Sequence, residues 1–77
     1  MNYDSSAVGK VVRQLRLNKG MSQEVLSGLA CIARSHLSMV ETGYMVANTE
    51  TLWKIAQAFE MPLSELIRRA EEEMNCS

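Results

Sequence analysis

The sequence predicts an all-α fold of five short helices, and three observations carry that prediction. Apolar residues make up 47% of the 77 positions and are mainly Leu, Val, Ile, Ala and Met, whereas aromatic residues make up 5%. That palette favours helices over a β-sandwich. The apolar residues recur at spacings of three and four, the period of a helix face. Residues suited to helix starts and stops stand between these stretches: Ser22, Asn48 and Pro62 at starts, Gly20 and Gly43 at ends. A chain of this length has room for one domain, residues 1–77, with a modest core running from about residue 6 to about residue 70 and disordered termini. Helix packing or dimerisation must supply its stability.

Met1 to Asp4 reads as a disordered start, with Ser5 or Ser6 as the cap of the first helix. Val8, Val11, Val12 and Leu15 form its apolar stripe, Arg13 and Lys19 fall outside it, and Asn18–Lys19–Gly20 supplies the stop. By pattern alone Arg16 faces solvent. Ser22 is placed to cap the second helix, Glu24 favours its dipole, and Val25, Leu26 and Leu29 share one face. The pattern breaks after Ala30 and resumes near Ala33. The third helix turns Leu37, Val40 and Glu41 inward and leaves Arg34, Ser35, Ser38 and Met39 pointing elsewhere. Gly43 ends it, because Gly takes positive φ without steric cost. Two short helices joined in this way have the layout of a helix-turn-helix.

Tyr44 to Ala47 is a loop, Asn48 caps the fourth helix, and Leu52, Ile55, Ala56 and Phe59 make its core stripe. Trp53 falls off that stripe, onto a side shared with Lys54, Gln57 and Glu60. Read blandly it is a half-covered surface Trp; read functionally it is a dimer anchor, since Trp is enriched at interface hot spots. Pro62 starts the fifth helix, whose inner face is Leu63, Leu66, Ile67 and Ala70. A dimer surface in this region would involve Trp53, Gln57, Leu63 and Ile67. Glu71–Glu72–Glu73 opposes the helix dipole, so the last turn is expected to fray.

The formal net charge is −1, which argues at first against nucleic acid. Its distribution reverses that reading. Residues 1–40 carry Lys10, Arg13, Arg16, Lys19 and Arg34 against Asp4 and Glu24, a net +3. Residues 41–77 carry three basic residues against seven acidic ones, a net −4. The basic half is the half with the helix-turn-helix. Two cysteines, Cys31 and Cys76, have neither disulfide-framework nor zinc-site spacing, and no apolar run is long enough for a signal peptide or a membrane span. A reducing cytoplasm is the expected compartment. One His and two distant Cys leave no nucleophile–base pair, so no enzyme, cofactor or metal site is expected.

Four segments, RQLRLNKGMSQEVL (Arg13–Leu26), HLSMVETG (His36–Gly43), TLWKIAQAF (Thr51–Phe59) and PLSEL (Pro62–Leu66), occur in the order and spacing of a known domain. From about Val8 to about Ile67 the chain resembles the DNA-binding domain of the Cro and lambda repressor family, the XRE-type regulators. The resemblance implies a five-helix, lambda-repressor-like fold, with double-stranded DNA as partner and a homodimer as the acting species. It also implies that Arg16 reaches Glu41 in a largely buried ion pair of structural role.

The same resemblance implies roles on the DNA side. Gln23 corresponds to a phosphate-contacting Gln that also braces the recognition helix. Arg34, Ser35, Ser38 and Met39 occupy base-facing positions, and His36 lies at the groove edge as a phosphate or packing contact. Arg34 has the chemistry for a bidentate contact to guanine, the two serines are permissive hydroxyls, and Met39 suits a thymine methyl. The Tyr44 hydroxyl is a candidate phosphate contact.

Three departures from the family pattern stand out. Cys31 replaces the usual Gly in the turn, Ala33 replaces a capping Ser or Thr, and Tyr44–Met45–Val46–Ala47 lacks the customary Lys or Arg. Cys31 reads as a small buried hydrophobe rather than a redox sensor. The uncharged loop implies a shallow salt dependence of DNA binding. It also supports a second reading: an antitoxin-like or adaptor module of the same fold, which binds a protein partner and in which DNA contact is secondary or lost.

Overall fold

The structure, a computed structural model of the chain, describes residues 3–76. Five helices follow one another: α1 Ser5–Asn18, α2 Gln23–Ala30, α3 Arg34–Thr42, α4 Thr49–Ala58 and α5 Leu63–Cys76. Helix α1 packs on α3 and α5, α2 packs on α3 and α4, and α4 closes onto α5.

Asp4, not Ser5 or Ser6, caps α1. Its carboxylate accepts from the Ser6 amide at 3.0 Å and the Ser6 hydroxyl at 2.6 Å. Those bonds, the hydroxyl's above all, hold the Asp4 carboxyl below its ordinary pKa. Ser6 thus serves as donor to the cap, and the expected disorder does not extend to Asp4; Met1 and Asn2 lie outside the described residues.

Val8, Val11, Val12 and Leu15 are buried as their spacing requires. Arg16, which the pattern placed in solvent, is buried with them, because α3 supplies it with a carboxylate. Gly9 allows the close approach of the two helices. A Cβ at that position would collide with the Val40 carbonyl oxygen and come within 2.9 Å of that of Glu41. Both are backbone atoms at the end of α3, with little freedom to yield.

Ser22 caps α2 by accepting from the Val25 amide at 3.1 Å. The inner face of this helix differs from expectation. Leu26, Ser27 and Ala30 are buried, while Val25 and Leu29 are exposed. Leu26 and Ala30 form an i, i+4 inward pair, and Val25 and Leu29 form another that lies one residue round the helix and faces outward.

Asn48 caps α4 through the Thr51 amide at 2.8 Å. Leu52, Ile55, Ala56 and Phe59 enter the core, joined by Thr51, whose residue is buried at the α4 start. Pro62 immediately precedes α5 rather than lying within it, and its carbonyl accepts from the amides of Glu65 and Leu66. The end of α5 continues in helical form through Cys76. Two features oppose the fraying expected there: Met74 packs against the core, and Arg68 bridges Glu65 and Glu72 across successive turns. No helix among the described residues is long and apolar enough to cross a membrane.

Candidate nucleic-acid interface

The centre of the site is a bidentate ion pair. Arg16 Nε donates to Glu41 Oε2 at 2.7 Å and Arg16 Nη2 donates to Glu41 Oε1 at 3.0 Å. Their side chains are only 9% and 2% exposed. The remaining guanidinium nitrogen, Nη1, donates to the Met21 carbonyl at 2.9 Å, and Gln23 Nε2 donates to Glu41 Oε1 at 3.1 Å. One carboxylate therefore ties the end of α1, the start of α2 and the end of α3. Hydrogen bonding to Glu41 raises the Arg16 pKa above its ordinary value, against the opposing pull of burial. Among the described residues no buried side-chain polar atom is left without a partner, the condition under which a buried ionic network does not undermine its own fold.

This network fixes the pose of α3. Leu37 and Val40 enter the core on the same side as Glu41. Arg34 and Ser35 lie exposed at the helix start, and His36, Ser38 and Met39 are half-buried along it. Gln23 is half-buried at the start of α2, with its amide nitrogen already engaged. Tyr44 stands almost fully exposed beyond the far end of α3. The motif thus carries Gln23, Arg34, Ser35, His36, Ser38 and Met39 on two helices held by one network, with Tyr44 in the loop that follows. Among the described residues no group of three or more His, Cys, Asp or Glu side chains can hold a metal ion.

The turn between α2 and α3 shows both sequence departures at work. Cys31 ends α2 in the left-handed region, φ 58° and ψ 43°, a conformation that costs a residue with a Cβ. It is exposed at the end of α2, not the buried hydrophobe that its residue type suggests. Ala33 occupies the N-cap position of α3 and makes no side-chain bond there. At the other end Gly43, φ 79°, takes the left-handed position expected of it and lies against Ser6 of α1.

Trp53 is half-exposed on α4 and Gln57 is exposed one turn further on. Leu63 packs against the core while half-buried, and Ile67 is on the exposed side of α5. The sequence reading missed Gly9 as a determinant of the α3 pose. Its signal was there: a glycine inside an apolar helical stripe costs helix stability and calls for a packing reason.

A short helix with an exposed start, seated on a buried brace and joined by a tight turn to the helix before it, is a helix-turn-helix. A helix-turn-helix family model matches residues 12–66, and the chain belongs to that family, the XRE-type helix-turn-helix regulators. Among solved structures it is similar to the restriction-modification controller protein C.AhdI from Aeromonas hydrophila, with 35% identity over 82% of this chain and 96% of that one and a TM-score of 0.79. The restriction-modification controller protein C.Esp1396I matches over the full length of both chains at 23% identity and a TM-score of 0.87. The clp gene regulator ClgR from Corynebacterium glutamicum matches over 96% of each chain at 22% identity and a TM-score of 0.85. The last two likenesses are of fold alone. No curated protein sequence matches the chain.

Proposed function

We propose that this protein is a sequence-specific transcriptional repressor that acts as a homodimer and reads a palindromic operator, each protomer laying α3 in the major groove. The observation that carries the reading is the Arg16–Glu41–Gln23 network, which spends a buried ion pair on fixing the pose of one short helix whose start is exposed. A recognition helix works in that way: its first residues meet base edges while the preceding helix crosses the backbone. In this reading Arg34 reads guanine, Ser35, Ser38 and Met39 meet neighbouring base edges, and Gln23, His36 and Tyr44 meet the backbone. The likeness to the restriction-modification controller C.AhdI supports a regulator of that kind. The dimer surface is Trp53, Gln57, Leu63 and Ile67, supported by the large apolar area that Trp53 leaves uncovered.

Sedimentation of the free protein and of its complex with a selected duplex tests this arrangement. Two protomers per duplex are expected, with half-sites about one helical turn apart. Trp53→Ala should shift the free protein toward monomer, and unchanged sedimentation of that variant removes the assigned surface. A second reading, a protein-docking module of the same fold, is favoured by the exposed Val25 and Leu29 on α2. It takes the lead if the protein selects no DNA sequence.

A further inference from the structure

Tyr44, Met45 and Val46 stand in a row on the surface just beyond α3, with 84%, 40% and 61% of their area exposed. A run of consecutive exposed apolar residues is unfavourable unless something covers it. This tip is tethered at both ends. Gly43 turns the chain out of α3, the Met45 amide donates to the Met39 carbonyl at 3.2 Å, Ala47 packs against the core, and Asn48 caps α4. A segment already held in place loses little conformational freedom when it is covered.

What covers it follows from its continuity with α3. At about 1.5 Å of rise per residue, the nine residues of α3 set the tip roughly 13 Å along the axis from the start of the helix, farther than the ~8.5 Å depth of the major groove, so a helix entering by its N-terminal end leaves the tip at the groove's rim. With Arg34 and Ser35 on base edges, the tip meets the strand that walls the groove. Having no charge, it cannot neutralise phosphate. The apolar part of that strand is the deoxyribose.

We propose that Tyr44, Met45 and Val46 form an apolar clamp that packs on the deoxyribose face of the strand bordering the major groove and supplies affinity that salt does not screen. The inference rests on the DNA-binding reading above and adds a contact class to it. The clamp replaces the ionic grip of a basic loop with burial of apolar surface. Met45 and Val46 thereby join the interface alongside Tyr44.

The test is equilibrium binding across a salt series to the duplex that the wild-type protein enriches from a random pool, with Met45→Ser/Val46→Ser and Met45→Lys beside it. Both side chains are exposed, and thermal melting verifies that the variants fold. The double variant should bind on the order of tenfold more weakly at every salt concentration with an unchanged slope, the size expected for losing the burial of roughly 60 Å² of apolar surface. Met45→Lys should steepen the log–log salt slope by about 0.9, one added phosphate contact. Wild-type affinity in the double variant, or a wild-type slope in Met45→Lys, overturns the clamp while leaving the DNA-binding reading intact. A wild-type protein that enriches no duplex overturns both.

Discussion

Gly9 on α1 backs directly onto the Val40 carbonyl of α3, so the helix that would read DNA is seated against a glycine. The contact is backbone to backbone, and its closeness lets Arg16, two turns further along α1, reach Glu41. Gly9→Ala gains about 0.5–1 kcal/mol of helix propensity but forces α1 away from α3. Overpacking of this kind costs about 1–3 kcal/mol. The expected result is a net loss, with the melting temperature lowered by roughly 5–10 °C. An unchanged or higher melting temperature would show that the two helices have slack between them.

Removing Glu41 should cost more. Glu41→Ala leaves the Arg16 guanidinium buried without its carboxylate and frees Gln23 from its brace. Breaking one side of a buried pair typically costs about 3–5 kcal/mol, which for so small a domain is a drop of more than about 10 °C in melting temperature. A variant melting within a degree or two of wild type would be inconsistent with the network described.

These two contacts were unequally legible in the sequence. The partnership of Arg16 with Glu41 came from family resemblance, since helical spacing alone assigned Arg16 to solvent. Two residues 25 positions apart share no local pattern, and only packing brings them together. The five helices were legible because Ser22, Gly43 and Asn48 act locally, through hydrogen bonds or angles that their own chemistry dictates. Val25 and Leu29 misled because an apolar pair at i, i+4 looks the same whether it faces a core or a partner. The candidate DNA contacts are legible only as chemistry at the right positions: exposure singles out Arg34, Ser35 and Tyr44, while Gln23, His36, Ser38 and Met39 are alike half-buried.

The turn between α2 and α3 should be improvable. Ala33→Ser restores an N-cap hydroxyl to α3, worth about 0.5–2 kcal/mol. Cys31→Gly relieves the left-handed residue at the end of α2 and should add about 0.5–1 kcal/mol. The two sites share one turn, so their effects are coupled and the double variant should gain less than the sum. Chemical denaturation measures it, and a double variant no more stable than wild type would mean that the turn is held by tertiary packing rather than by its own caps.

Acid should weaken the protein in part through α5. Arg68, foremost, and Arg69 lower the Glu65 pKa from 4.5 to about 2. A carboxyl depressed on folding contributes stability that is fully present above its unfolded value and is lost as pH falls through its folded one. The window is therefore about pH 4.5 down to about pH 2. The group is exposed, so its share is small and screened by salt. Glu65→Gln should flatten the decline in stability over that window, and a decline of unchanged steepness would assign the acid sensitivity elsewhere.

Selection of a random-duplex pool on the purified protein at near-physiological salt, run beside Arg34→Ala, bears on the whole account at once. Wild-type protein should enrich a palindromic motif, and Arg34→Ala should lose it or relax it at a guanine, since one bidentate contact discriminates by about 1–3 kcal/mol. Enrichment of the same motif with equal stringency by both proteins would remove Arg34 from the groove. Enrichment of no motif by either would contradict sequence-specific DNA binding by this protein.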